Sequence, residues 1–365
     1  MKAHDLHFMR RALRLAALGS GETNPNPMVG CVVVHNGRVV AQAFHERAGS
    51  SHAEVLALER AGARARGATL YVTLEPCAHH GRTPPCAPLV AAAGVRRVVA
   101  AMRDPNPRVN GKGFALLRRA GVKVEVGLLA REAGSLNERF VVAVTKRRPF
   151  ILLKAAITLD GRIATAAGDS KWITSPRQRR EARRLRRLYD GVLVGIGTVL
   201  ADDPLLLPSP RTKRPFPRIV LDSRLRTALD SRLVRTAGRA PLWLLATRAA
   251  SALKRSRLDR AGVRVLVAPS RALRVPLRWA LRALHRNGIT SLMVEGGSEV
   301  LGAFLRQGLF DEVALFRGPL LLGGRGSSPA FGGPDPRRLG QGLRMERVAP
   351  AGAGYELWRP RDRPR

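Results

Sequence analysis

Four residues carry the chemistry that can be read first. His52 and Glu54 lie in Ser-Ser-His-Ala-Glu-Val, residues 50–55, and Cys77 and Cys86 bracket the stretch C-A-H-H-G-R-T-P-P-C. The 365-residue chain has only three cysteines. They cannot all pair, so metal binding or catalysis is the better reading. Zinc takes nitrogen and sulfur ligands in a tetrahedron, and a catalytic zinc keeps one position for water. His52, Cys77 and Cys86 would supply three ligands and leave that position open. Water on such an ion has its pKa lowered towards ~7. Glu54 is two residues from the histidine and is not needed as a ligand. It is placed to carry a proton from that water to a departing group.

H-x-E followed by P-C and a second cysteine is the pattern of zinc-dependent deaminases, in which the departing group is an amine. The spacing of the two cysteines is longer than the generic form, and the insert A-H-H-G-R-T-P-P adds histidine and arginine at the mouth of the site. Plainer readings exist. Ser51 and Glu54 match the S-x-x-E of a helix capping box. The cysteines could hold a structural zinc completed by His79 or His80. Cys31 sits inside an apolar run and reads as a packed core residue.

These groups need elements to position them. Residues 29–34 and 39–44 flank His35-Asn36-Gly37 and read as a hairpin with a tight turn. A helix is expected over 52–63, then strand 69–74, helix 86–93, strand 95–101, helix 112–120 and strand 122–126. His52 and Cys86 therefore stand at helix starts, where the dipole favours a thiolate. The first residues, through Ala17, read as an amphipathic helix. The pattern is that of a three-layer α/β domain. It changes over 128–150, and a boundary is placed at Arg147, giving a first domain 1–147 and a second 148–358, with 359–365 as a disordered tail.

The second domain is also α/β. It is read as strand 151–157, helix 176–188, strands 191–194, 218–221, 242–246 and 263–267, helix 272–287, strand 291–295, helix 298–307 and strand 311–317. The loop Asp202 to Pro217 is proline-rich and irregular. Glycines follow strands at Val194-Gly-Ile-Gly-Thr and at Val294-Glu-Gly-Gly-Ser298. Such junctions admit a phosphate to backbone N–H groups at a helix start, though a simple turn is the plainer reading of each pair alone, and neither is a G-x-G-x-x-G fingerprint.

The net charge is +37, which raises the possibility of an anionic partner. A basic helix, R-Q-R-R-E-A-R-R-L-R-R at 177–187, points the same way. A solvated helix face is the plainer reading, and aromatics are only 5%, too few for a base-stacking surface. No nucleic-acid partner is expected. No apolar run approaches the ~20 residues that span a bilayer, so a cytoplasmic protein is expected. A nucleoside or nucleic-acid deaminase with an accessory domain remains the alternative.

N-P-N-P-M-V-G (24–30), F-H-E-R-A-G-S-S-H-A-E (44–54) and T-L-E-P-C-A-H-H-G-R-T-P-P-C (73–86) closely resemble the bifunctional deaminase/reductase family of riboflavin biosynthesis. In the second half K-A-A-I-T-L-D-G-R-I-A-T, G-D-S-K-W-I-T-S, V-G-I-G-T-V-L-A-D-D-P, L-D-S-R-L-R and V-E-G-G resemble its reductase part. The resemblance covers nearly the whole chain. It implies a cytidine-deaminase-like domain followed by a dihydrofolate-reductase-like domain. The implied cofactors are Zn2+ and NADPH. The implied substrate is a small phosphorylated pyrimidine, 2,5-diamino-6-ribosylamino-4(3H)-pyrimidinone 5′-phosphate, deaminated and then reduced at its ribosyl chain. A homo-oligomer is implied as well. Carried over residue by residue, Asn24, His45, His79 and Arg82 would line the deaminase pocket. Ala156, Trp172, Thr198, Asp202, Ser223 and the segment from Gly297 would contact NADPH. Ser170, Arg186 and Glu295 would contact the reductase substrate. The family continues D-D-P with a short run ending in arginine, suited to a phosphate. Here the run is Leu205-Leu206-Leu207-Pro208 and the next basic residue is Arg211, so phosphate recognition is expected to have moved to Arg211 or to be weakened.

Overall fold

The computed structural model describes residues 3–79, 84–107, 109–212, 214–348 and 354–361. The chain divides into two compact units, Met1–Arg147 and Arg148–Arg365.

The first unit runs α1 (Ala3–Ala17), β1 (Gly30–His35), β2 (Arg38–Phe44), α2 (Ala53–Ala61), β3 (Thr69–Val72), α3 (Cys86–Ala92), β4 (Arg97–Ala100), α4 (Lys112–Arg119), β5 (Lys123–Val126), α5 (Ala130–Leu136) and α6 (Glu138–Lys146). Its five strands lie in the order β2-β1-β3-β4-β5. β1 is antiparallel to both neighbours, and β3, β4 and β5 are parallel. Side chains of a strand alternate between faces, and the two faces are covered by different helices. Cys31, Val33, Leu70 and Val98 pack with Ala57, Val90 and Leu117 of α2, α3 and α4. Val32, Tyr71 and Val99 pack with Phe8 and Met9 of α1. Both faces being apolar gives the near-continuous hydrophobic runs of the sequence. The hairpin turn has Asn36 and Gly37 at φ 48° and 74°, the left-handed pair a tight β-hairpin needs.

The second unit runs β6 (Phe150–Ile157), β7 (Arg162–Ala164), α7 (Pro176–Arg186), β8 (Gly191–Gly195), α8 (Ile196–Asp202), β9 (Arg218–Leu221), α9 (Arg232–Arg235), β10 (Leu242–Thr247), α10 (Ala252–Arg260), β11 (Arg264–Ala268), α11 (Leu277–Arg286), β12 (Ser291–Glu295), α12 (Ser298–Arg306), β13 (Glu312–Arg317), β14 (Ser328–Pro329), β15 (Met345–Val348) and β16 (Glu356–Pro360). Nine strands form one sheet in the order β11-β10-β9-β8-β12-β6-β13-β16-β15. It is parallel from β11 to β13, and β16 and β15 extend it as antiparallel strands. Asp311 anchors its start: the carboxylate accepts from Arg148 Nη1 at 2.6 Å and Nη2 at 2.9 Å, and from the Ile151 N–H at 2.7 Å.

Three expectations are corrected. The helix expected from 272 begins at Leu277, because Pro276 excludes helical backbone at Val275 and then serves as the N-cap. The glycine-rich turn after β8 is itself helical, as α8. The expected tail 359–365 starts too early: Arg359 and Pro360 lie in β16, and Arg359 Nη2 pairs with Glu312 Oε1 at 2.5 Å.

Candidate active sites

The first site forms where α2 and α3 begin. His52 is the N-cap residue of α2 and Cys86 the first residue of α3. Cys77 follows β3 on the same side. His52 Nδ1 lies 3.2 Å from Cys86 Sγ and 3.7 Å from Cys77 Sγ, and the Cys86 N–H donates to Cys77 Sγ at 3.3 Å. All three ligand atoms fall within 4.8 Å of one another. Zn–N and Zn–S bonds of ~2.0 and ~2.3 Å at tetrahedral angles require ligand separations of roughly 3.5–3.8 Å, so the cluster fits zinc. The thiols argue the same way. Hydrogen bonding from Cys86 holds the Cys77 thiol far below its usual range, and the sulfur of Cys77, with burial, pushes Cys86 far up. A divalent cation bound between them favours the thiolate form of both sulfurs.

The N-cap of α2 is His52, which makes no side-chain cap hydrogen bond, so the Ser51–Glu54 capping box is not formed. The Glu54 carboxyl is 4% exposed and lines a cavity of about 270 Å³ with His52, Cys77 and His45. Burial pushes its pKa up to about 7, although the His52 charge pulls it back. A carboxyl poised near neutrality can both take and give a proton. His79 is exposed on the cavity rim and is not a member of the ligand cluster. Arg82 and His80 lie outside the described residues.

His45 is buried, and its Nδ1 lies 3.2 Å from the Ser51 carbonyl. That contact fixes the proton on Nδ1 and leaves Nε2 to accept from the Asn26 amide at 3.1 Å. Asn26, two residues on from the expected Asn24, lines the cavity. Asp104 and Asn106 also line it and were missed. Burial raises the Asp104 pKa to about 6. They sit in a coil after β4, where sequence spacing gives no signal.

Glu75 organises this wall. Its carboxylate accepts from the N–H groups of Asp104, Gly111, Gly113 and Phe114 at 3.2, 2.9, 3.0 and 3.4 Å. Three of these lie at the start of α4, where N–H groups have no partner within the helix. At Gly113 a Cβ would stand 1.9 Å from the Pro76 carbonyl oxygen, so only glycine permits the approach.

The second site lies in the Arg148–Arg365 unit, at the carboxyl ends of β6, β8 and β12. A cavity of about 490 Å³ is lined by Ala156, Ser170, Trp172, Arg186, Thr198, Asp202, Glu295 and Gly297. Eight of the ten expected residues are thus brought together. Arg186 donates to Glu295 from Nε at 2.5 Å and from Nη2 at 3.0 Å, and from Nη1 to the Leu207 carbonyl at 2.9 Å. Lys154 Nζ lies 3.8 Å from Glu295 Oε2. Burial pushes the Glu295 carboxyl up, but the Arg186 and Lys154 charges outweigh it and hold the pKa below the ordinary value. Gly296 and Gly297, at φ 64° and 69°, turn the chain into α12 and leave its first N–H groups open to the cavity; a Cβ at Gly296 would meet Thr198 Oγ1 at 3.0 Å.

Two expected residues lie elsewhere. Ser223 follows β9, one strand beyond β8 at the same sheet edge, where its Oγ accepts from the Val275 N–H at 3.1 Å. Arg211 lines a different cavity with Leu205 and Leu207. The strap 204–208 divides the two spaces: Pro204 and Leu206 face the site, and Leu205, Leu207 and Pro208 face the other cavity. Arg211 therefore stands on the far side of the strap from the cavity that holds the other expected residues. The basic helix α7 was also only half read. Arg179 and Arg183 line the site together with Arg186, and a spacing of four and three residues puts them on one helix face.

The chain matches two family models: the cytidine and deoxycytidylate deaminase zinc-binding region over residues 2–102, and the RibD C-terminal domain over residues 149–355. It is 43% identical over 343 residues to the riboflavin biosynthesis protein RibD of Actinobacillus pleuropneumoniae, covering 94% of this chain and 91% of that protein. It is 46% identical over 321 residues to RibD of Aquifex aeolicus, covering 87% and 88%. Among solved structures, Acinetobacter baumannii RibD matches with a TM-score of 0.88 at 37% identity, over 98% of this chain and 99% of that one. The diaminohydroxyphosphoribosylaminopyrimidine deaminase/5-amino-6-(5-phosphoribosylamino)uracil reductase of Thermotoga maritima matches with a TM-score of 0.82 at 36% identity, over 98% and 99%.

Proposed function

The chain belongs to the RibD family of riboflavin biosynthesis, bifunctional enzymes that join a zinc-dependent deaminase to an NADPH-dependent reductase, and from that premise we propose how its own residues divide the work. The observation that carries the reading is the pairing of a three-ligand His-Cys-Cys cluster with a buried carboxyl, Glu54, in one cavity.

In the deaminase site His52, Cys77 and Cys86 would hold the zinc, which would supply the Lewis acidity that activates a water. Glu54 takes the proton released by that water and delivers it to the leaving amine, which departs as ammonia. His45 and Asn26, locked to each other, present a fixed polar edge to the pyrimidine, and Asp104 and Asn106 face it from the far wall. His79 stands at the rim, towards the ribose phosphate. Eight residues between the cysteines, rather than two, make room for that rim.

In the reductase site NADPH supplies the hydride. Ala156, Trp172, Thr198, Asp202, Ser223 and the segment from Gly297 would hold NADPH, with the start of α12 offering N–H groups to its phosphates. Ser170, Arg186 and Glu295 hold the substrate, and the site works chiefly by orienting the two molecules. The substrate is a small phosphorylated pyrimidine, and the enzyme acts in the cytoplasm as a homo-oligomer. No helix among the described residues is long and apolar enough to cross a membrane.

A coupled assay on the purified protein tests the reading. The diaminopyrimidinone ribotide alone should release ammonia, and adding NADPH should then give stoichiometric oxidation. Ammonia without oxidation would reject the reductase assignment. Oxidation on pre-deaminated substrate without ammonia release would reject the deaminase assignment.

A further inference from the structure

The reductase cavity is lined by five basic side chains and two carboxylates among the described residues. Four of the five cations already have work. Lys154 faces Glu295, and Arg186 spends Nε and Nη2 on Glu295 and Nη1 on the Leu207 carbonyl. Lys171 Nζ pairs with Asp202 Oδ1 at 2.7 Å. The Arg179 guanidinium stacks 4.1 Å from the centre of the Trp172 ring and donates from Nη1 to the Thr174 carbonyl at 2.6 Å.

Arg183 is the exception. Its exposed side chain has no hydrogen bond or ion pair among the described residues, yet it lines the cavity one turn from both Arg179 and Arg186. The backbone around it is fixed. α7 starts with Pro176 and a capping box in which Ser175 Oγ accepts from Gln178 N–H and Gln178 Oε1 accepts from Ser175 N–H. The Ser209 N–H donates to the Arg183 carbonyl at 3.1 Å, which ties the end of the strap to the same turn. A planar guanidinium with all its donors uncommitted, on a rigid turn at the edge of a cation-rich cavity, is suited to an oxyanion with several oxygens.

We propose that Arg183 receives the terminal phosphoryl group of the reductase substrate and sets the enzyme's preference for the 5′-phosphate. This rests on the reductase reading above. Arg183 is a specificity residue that does not touch the reacting carbon. NADPH also carries phosphate, and a 2′-phosphate contact would come from the same chemistry, so the test separates the two.

NADPH oxidation is measured for wild type, Arg183→Ala and Arg183→Lys with the deaminated ribosylaminouracil 5′-phosphate and with its dephosphorylated form. The alanine variant should raise KM for the phosphorylated substrate by ~10-fold or more, the loss of one charge-assisted contact. Its kcat should stay within about twofold, the dephosphorylated KM should not move, and the lysine variant should recover part of the loss. A KM increase shared by both substrates, an unchanged KM, or a shift in the NADPH-to-NADH preference instead would overturn the proposal. Calorimetric binding of ribose 5-phosphate, with ribose as control, reads the same contact without turnover. If that binding depends on Arg183 while wild type oxidises no NADPH, the phosphate site stands and the reductase reading falls. If oxidation is normal and ribose 5-phosphate binds wild type and Arg183→Ala equally, Arg183 is excluded.

Discussion

Asn137 and the main chain of Met28, 109 residues apart in sequence, exchange two hydrogen bonds: Asn137 Oδ1 accepts from the Met28 N–H at 2.8 Å, and Nδ2 donates to the Met28 carbonyl at 2.9 Å. Asn137 is 2% exposed and joins α5 to α6. Phe140 of α6 and Pro25 to Pro27 line the deaminase cavity, so this one amide sets the distance between two of its walls. Asn137→Ala should destabilise the first unit by about 2 kcal/mol, because both Met28 groups lose their partner. The deaminase KM should rise while the NADPH KM stays constant. Thermal unfolding together with the two separate assays reads this; equal damage to both activities would contradict it.

Glu54→Gln preserves size and hydrogen bonding but cannot shuttle a proton. Deamination should fall by at least ~10²-fold, with zinc content unchanged by elemental analysis and with full reduction of pre-deaminated substrate. A reduction rate that falls in parallel would show that the two sites are not chemically separate.

Removing zinc should act on the same half alone. Dialysis against a strong chelator should abolish ammonia release and leave NADPH oxidation, and added Zn2+ should restore the first. Cys77→Ser should require more free zinc for the same restoration, since a serine oxygen is a poorer zinc ligand than a thiolate. Activity that survives verified metal loss would reject the assignment of His52, Cys77 and Cys86.

The Arg186–Glu295 pair makes a pH prediction. The Glu295 carboxyl is held below its ordinary value in the folded protein. A depressed carboxylate adds stability that is complete above the unfolded pKa of ~4.3 and is lost as pH falls through the folded value. Denaturation of the second unit should therefore be flat in this contribution near neutrality and weaken on the acid side. Glu295→Gln should be destabilised by roughly 3–5 kcal/mol at pH 7, because Arg186 is left buried without its counter-charge. The gap between the two proteins should narrow below about pH 4.3. A constant gap down to pH 3 would mean that the folded protein does not hold the Glu295 pKa below its unfolded value.

The metal cluster was legible because few arrangements use histidine, glutamate and two cysteines at such intervals, and because both His52 and Cys86 precede apolar helical runs. The central strands were legible for a related reason: Val-rich segments buried on both faces, such as Val192 to Val194, leave a continuous apolar signature. Residues whose role comes from tertiary closure were not. Asp104 and Asn106 reach the cavity on a loop that Glu75 gathers, and Asn26 meets His45 across a turn. α6 carries Phe140 to the pocket from the 128–150 stretch, where the sequence showed only a change of pattern. Arg183 was hidden among the seven arginines of residues 177–187, since only the position of the cavity distinguishes the inward face.

The fan of four N–H groups around Glu75 has a consequence for how the deaminase can change over generations. The same T-L-E-P-C segment supplies a zinc ligand at Cys77 and, through Glu75, the scaffold of the loop that meets the pyrimidine. A mutation that reshapes that loop by disturbing Glu75 also shifts the strand end from which Cys77 reaches the metal. Substrate scope and metal retention are therefore inherited as one trait in this domain. Laboratory evolution towards other pyrimidines should find its permissive substitutions at Asp104, Asn106 and the 24–28 turn, and almost none between Thr73 and Cys77.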